Sequence, residues 1–242
     1  MAQIFVLASG KGGVGKSSLT VGLGKALVSL NKKVLLIDTD IGLQSLDVLL
    51  GCSETLVYDW GDVILGRCDN KSAVYTAECG VDLLSCPRKF DDAFTGDAFN
   101  ALVHGFDGEY DFILIDAPAG IGSGLKLACS AADFGLVIST SDSVCVRSAG
   151  KAADMLESYG IEQTRLIINR FRRRAIERNL LLNVDSVIDE TEVQLIGVVP
   201  EDPIINYGAV FTKGQLSNAA LTRIARRLTG ENVPLKLKNK GD

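Results

Sequence analysis

The run Gly10-Lys11-Gly12-Gly13-Val14-Gly15-Lys16-Ser17-Ser18 concentrates residue types that handle phosphate. It follows an apolar segment at residues 4–8 and precedes a helical pattern through Leu19, Leu23, Ala26 and Leu27. Glycines let the backbone turn its N–H groups inward around phosphate oxygens, and the N-terminus of the following helix adds partial positive charge. The spacing G-x-x-x-x-G-K-S gives Lys16 reach to β- and γ-phosphates and offers the Ser17 hydroxyl to Mg²⁺. An accidental Gly-rich strand-to-helix turn would account for the glycines, but not for the lysine and serine that close the loop in this context.

Carboxylates appear at two further strand ends. Leu36-Ile37-Asp38-Thr39-Asp40-Ile41-Gly42 places two aspartates at i and i+2, where an α/β sheet opens its ligand crevice. One aspartate there would read as turn chemistry. Phe112-Ile113-Leu114-Ile115-Asp116-Ala117-Pro118-Ala119-Gly120-Ile121 is an apolar strand ending in Asp116, whose carboxylate suits Mg²⁺ support beside a phosphate loop. Alone that pattern is weak, since any buried strand can end in aspartate. Asn169-Arg170 and Pro200-Glu201-Asp202 close two later apolar runs, and an asparagine amide offers the donor and acceptor that an adenine edge requires. Neither short string is diagnostic by itself.

The elements that would position these residues alternate along the chain. Apolar runs at 4–8, 33–38, 112–116, 135–139, 166–169 and 195–199 are rich in Val, Ile and Leu, as parallel strands covered on both faces are. Helical periodicity fills gaps between them, as in Val146, Ala149, Ala153 and Leu156. The order predicts an α/β fold: a single P-loop NTPase domain over residues 1–242, with a mostly parallel central sheet flanked by helices on both faces. A flexible tail is expected over 230–242. Residues 52–99 give no clear pattern.

Composition narrows the setting. No C-x-x-C pair occurs among the six cysteines, and His104 is the one histidine, so a zinc site of ordinary spacing is not expected. A net charge of −5 disfavours whole-surface attraction to nucleic acid. The opening residues lack a basic, signal-like segment, and no run approaches the roughly 20 apolar residues of a membrane span. A cytoplasmic protein is expected.

The string K-G-G-V-G-K-S-S resembles the deviant Walker A motif of the MinD/ParA ATPases. The resemblance extends through D-T-D-I-G-L, D-A-P-A-G-I-G, N-R-F-R and G-V-V-P-E-D, covering about residues 2–229 and favouring the MinD branch. It implies ATP and Mg²⁺ as ligands, with catalytic roles for Lys11, Lys16 and Asp40. Lys11 would reach across an ATP-dependent homodimer to the partner's nucleotide. Gly10, Gly12, Gly13, Val14, Gly15, Ser17 and Ser18 would cradle phosphate, while Ser17, Asp38, Asp40 and Asp116 would serve the metal. Asp40 would orient the attacking water and Asp38 would support Mg²⁺. Residues 38–47 and the segment after Asp116 would be switches I and II. Asn169, Arg170, Pro200, Glu201 and Asp202 would form the adenine pocket.

The implied function is division-site placement by ATP-driven partner cycling with regulatory proteins of the division machinery. Weak peripheral association with the inner membrane face is implied as well. A departure lies at the C-terminus. Leu221, Ile224, Ala225 and Leu228 make a helical stripe that reads as the last helix of the fold, its neighbours Arg223, Arg226 and Arg227 solvated. The Leu235-Lys236-Leu237-Lys238 tail is too short and polar for a good in-plane membrane helix.

The alternatives are a ParA-like DNA-partitioning or flagellar-number regulator and an iron–sulfur carrier ATPase. The first would use Arg170, Arg172, Arg173, Arg174 and Arg178 as its patch. The second would need a cysteine soon after Asp116.

Overall fold

Strands that are apolar at every position need cover on both faces, and the computed structural model supplies it for residues 1–203, 211–212 and 215–235. The strands are β1 (Gln3–Ala8), β2 (Val34–Asp38), β3 (Val74–Thr76), β4 (Asp82–Leu84), β5 (Phe112–Asp116), β6 (Phe134–Ser139), β7 (Gln163–Phe171) and β8 (Leu195–Pro200). They form one sheet in the order β3-β4-β2-β5-β1-β6-β7-β8. Every neighbouring pair runs parallel except β3 with β4.

Alternation along the strands divides the core in two. Val6, Ala8, Ile37, Ile113 and Ile115 point to one face, under α3 (Trp60–Ile64), α4 (Gly96–His104), α5 (Ser123–Cys129), α6 (Ser143–Ser158) and α8 (Val184–Thr191). Phe5, Leu7, Leu36, Phe112 and Leu114 point to the other, under α1 (Lys16–Ser29), α2 (Leu46–Leu50) and α9 (Asn218–Leu228). This is the α/β sheet with helices on both faces that the apolar runs predicted, and each of the six expected strands is present. The remaining short helix, α7 (Arg173–Glu177), carries no buried residue. Strands β3 and β4 were not legible, because three residues are too few to show a period.

The stripe of Leu221, Ile224, Ala225 and Leu228 is buried, as expected of a last helix of the fold. It packs on α1 and β8. Arg227 departs from the expected solvated state. Its guanidinium donates to the carbonyls of Ile196 at 2.6 Å, Val233 at 2.9 Å and Pro234 at 2.9 Å. A planar five-donor fork can collect backbone carbonyls that an ammonium could not span. The beginning of the tail is thus tied to β8, and the rest of the tail expected over 230–242, residues 236–242, lies outside the described residues. Among the described residues no helix is long and apolar enough to cross a membrane.

Candidate active site

The loop between β1 and α1 is shaped by what its glycines touch. A Cβ on Gly10 would sit 1.9 Å from the carbonyl oxygen of Ser148 on α6, so only glycine lets the chain pass there. Gly15 has φ 91°, a left-handed conformation that strains other residues, and a Cβ would meet the Asn169 amide nitrogen at 2.5 Å. Gly15 also caps α1 without a side-chain hydrogen bond, and the first turn holds no acidic residue. The first amides of α1 therefore keep their partial positive charge for an outside anion. By contrast, Asp59, Thr95, Asp142 and Asn183 cap α3, α4, α6 and α8 with their side chains.

Asp116, fully buried at the end of β5, gathers the polar groups of α1. Its Oδ1 accepts from Lys16 Nζ at 2.9 Å and Thr20 Oγ1 at 2.8 Å, and its Oδ2 accepts from Ser17 Oγ at 2.6 Å. Lys16, Ser17 and Thr20 reach one carboxylate because i and i+4 lie on one helix face, with i+1 flanking them at the first turn. Asp38 stands beside Asp116 in the β2–β5 register. Its carboxylate accepts backbone N–H groups from Asp40 at 2.9 Å, Ser45 at 3.0 Å and Leu46 at 3.2 Å. Ser45 Oγ donates to Ser17 Oγ at 3.0 Å, which joins the 38–46 strap to the phosphate loop.

Charge in this wall is unbalanced. Asp38 and Asp116 are both buried, with Lys16 paired to Asp116 and the half-buried Asp40 nearby. Burial, and then the charge of Asp116, raises the Asp38 carboxyl to about 6. Burial also raises Asp40, against the pull of Lys16. Like charges in a desolvated site favour protonation unless a cation joins them. Carboxylate and hydroxyl oxygens are the ligands a hard divalent ion takes, so the donor set fits Mg²⁺. Among the described residues no three His, Cys, Asp or Glu side chains form a metal cage.

A cavity of about 280 Å³ opens over these groups, lined by Gly12 through Ser18 together with Ser9, Asp40, Leu43 and Ala119. Ser9 Oγ is buried there without a hydrogen-bond partner, a donor available to an anion. Gly10 and Lys11 do not line the cavity, and Lys11 is exposed.

A second, contiguous space touches Gly15, Ser18, Asn169, Arg170, Pro200, Glu201 and Asp202, the residues expected to hold adenine. Two residues of β7, Asn169 and Arg170, stand against one of β8 between the paired positions, which makes a bulge. Arg170 has φ 51° there. A bulge re-aims side chains, and here it sends the Asn169 amide to the Val14 carbonyl at 2.8 Å. That bond uses one N–H of the amide, whose second N–H and oxygen are the donor and acceptor a base edge requires. Asp202 accepts from Ser217 N and Oγ at 3.1 Å each, and Glu201 pairs with Arg172. The space measures about 20 Å³, room for about one water, so a purine requires it to open.

Thr20, Ser45 and Thr39, which donates to the Asp116 carbonyl at 2.9 Å, were missed by sequence reasoning. Thr20 was findable, lying one helical turn after Lys16. Ser45 and Thr39 fall inside the 38–47 segment but carry no signal of their own.

Residues 5–209 match the CobQ/CobB/MinD/ParA nucleotide binding domain. The chain belongs to that family. The septum site-determining protein MinD of Bacillus subtilis is 35% identical over 255 aligned residues, covering 100% of this chain and 95% of that protein. The MinC:MinD cell division protein complex of Aquifex aeolicus contains a chain with TM-score 0.90 and 35% identity, covering 98% of this chain and 100% of that one. MinD of Pyrococcus horikoshii, in a structure complexed with Mg-ADP, matches with TM-score 0.83 and 25% identity over 94% of this chain and 96% of that one. Membership in the MinD/ParA family agrees with a phosphate loop followed by two strand-end carboxylates, and the likeness runs to MinD.

Proposed function

We propose that this chain is a MinD-type Mg-ATPase that works as a dimerising switch in division-site placement. The observation that carries this reading is the convergence of Lys16, Ser17 and Thr20 on Asp116 directly beneath a Gly-shaped loop with uncapped helix amides. Lys16 supplies the cation for the phosphates, and Ser17, Asp116 and Asp38 are the groups that would hold Mg²⁺. Bound there, the ion would offset phosphate charge as the terminal phosphoryl group is transferred. Asp40 lines the phosphate cavity with a raised pKa, which suits a carboxylate that orients water and takes up its proton.

Lys11, exposed and outside the cavity of its own chain, is free to serve a neighbouring copy. Leu43, Ile121 and Val144 are exposed apolar residues on the 38–46 strap, the segment after Asp116, and α6. Such residues at a nucleotide-ordered surface suit a second copy. The complex of the Aquifex relative with MinC suggests regulatory division proteins as the partner class. The apolar stripe of α9 is spent on α1 and β8, so it is not available to lipid.

ATP turnover measured across protein concentrations tests the reading. Turnover per subunit is expected to rise from near zero to a plateau as subunits pair, and a concentration-independent rate would argue for a self-sufficient monomer.

A further inference from the structure

The strap at residues 38–46 carries both Asp38 and Asp40, and it lies between two spaces. On one side is the phosphate cavity. On the other is a cavity of about 700 Å³ lined by Thr39, Asp40 and Ile41 together with Phe94, Pro118 and Leu127. A strap with room behind it does not hold carboxylates in place by packing alone.

We propose that Trp60 is a positioning residue for hydrolysis, bolting the root of this strap from behind. Trp60 is fully buried, and its indole Nε1–H donates to the Asp38 carbonyl at 2.9 Å. That carbonyl belongs to the last residue of β2, where the sheet gives way to the strap. The ring is itself held. Phe94 and Phe99 meet it edge-on with centroids at 4.8 Å and 5.4 Å, and its backbone N–H donates to the Ser85 carbonyl at 3.0 Å. A reciprocal capping box between Asp59 and Asp62 fixes the start of α3 at the same point.

Two weaker ties lie farther along the strap. Cys86 Sγ donates to the Asp40 carbonyl at 3.3 Å, and Gln44 Nε2 donates to the Cys86 carbonyl at 2.7 Å. Trp60 reaches the backbone carbonyl of Asp38, the residue at which the strap carrying both carboxylates begins. Without its N–H, the Asp38 carbonyl would be a buried acceptor in search of a donor. The Asp38–Thr39 peptide would then be held on one side only, by the Thr39 N–H that donates to the Asp116 carbonyl at 3.1 Å, and could tilt about that bond. Asp40 follows two residues later, so a small rotation at Asp38 displaces the group assigned to the attacking water. Displacements of about 1 Å cost on the order of 100-fold in rate. This role rests on the proposed ATPase reading.

The chain has one tryptophan, so the bond can be deleted without changing shape. Replacing Trp60 with its benzothienyl isostere keeps the fused ring and exchanges N–H for sulfur. Three quantities are read on the full chain: kcat, affinity for a fluorescent ATP analogue, and hydrogen exchange of the strap amides without nucleotide. We expect kcat to fall about 10–100-fold, affinity to stay within about threefold, and strap exchange to accelerate while β1 and β5 remain protected.

Trp60→Phe, which keeps an aromatic ring against Phe94 and Phe99, is expected to show the same split. Unchanged kcat, or unchanged strap exchange, overturns the proposal. A parallel loss of affinity, stability and kcat also overturns it, since that pattern belongs to a residue that only fills space. Native protein without ATP turnover would instead remove the ATPase reading, and strap exchange would still decide whether the bolt exists.

Discussion

Lys16→Ala abolishes measurable ATP binding and lowers the stability of the nucleotide-free protein. Each charge-assisted hydrogen bond to a phosphate oxygen contributes about 1.5–3 kcal/mol. Losing one to β and one to γ weakens affinity by roughly 10²–10⁴, beyond the range of most equilibrium assays. The stability effect has a separate origin. Lys16 is the ion-pair partner of Asp116, which is fully buried. Removing one member of a buried pair costs about 3–5 kcal/mol, because the other charge is left uncompensated. In a chain of this size that lowers the melting midpoint by on the order of 10 °C. Adding Asp116→Asn to the variant should recover much of the midpoint and none of the ATP affinity. Calorimetric titration well below the midpoint separates the two effects, and native-like affinity in Lys16→Ala would end the P-loop assignment.

Asp40→Ala has a different signature. Positioned water and its proton acceptor matter on the way to the transition state, so kcat should fall about 10²–10³-fold while nucleotide binding persists. Binding should tighten slightly, because the substitution removes a negative charge that acts on Lys16. Rapid-quench turnover beside equilibrium binding of the ATP analogue gives both quantities. Turnover at the native rate would reduce Asp40 to a turn residue, and loss of Mg-ATP binding would make it a metal-supporting group.

The legible and illegible parts of this molecule divide by the range of the interactions involved. Lys16, Ser17 and the loop glycines declare themselves because one local string must satisfy one ligand. Asp116 was readable once that string was known, since a carboxylate at a buried strand end has few other uses. The six longer strands showed themselves by being apolar on both faces, whereas β3 and β4 borrow their place from β2 and have no period of their own. Asn169 was read as a base contact from its amide chemistry. The β7 bulge also ties that amide to Val14, and the register shift behind this contact depends on β8, a strand about 30 residues later in the sequence. Trp60 lies in the 52–99 stretch, which shows no clear pattern. Its meaning lies in one hydrogen bond to a strand end 22 residues away in sequence. Arg227 likewise looked like a solvated cation until its three carbonyl partners were in place.

If two copies complete each other's sites, mixing two inactive variants restores turnover. Lys11→Ala removes the exposed lysine that lies outside its own cavity, and Asp40→Ala removes the water-orienting carboxylate. In a mixed dimer the site with intact Asp40 receives Lys11 from its neighbour, while the other site lacks both groups. With equal amounts of the two proteins and random pairing, half of the dimers are mixed and each carries one working site. Turnover should therefore recover to about a quarter of the native rate per subunit. Recovery from two proteins that are each inactive alone is the predicted result. No recovery, with mixed dimers demonstrated by crosslinking, would contradict action across the interface and the account built on it.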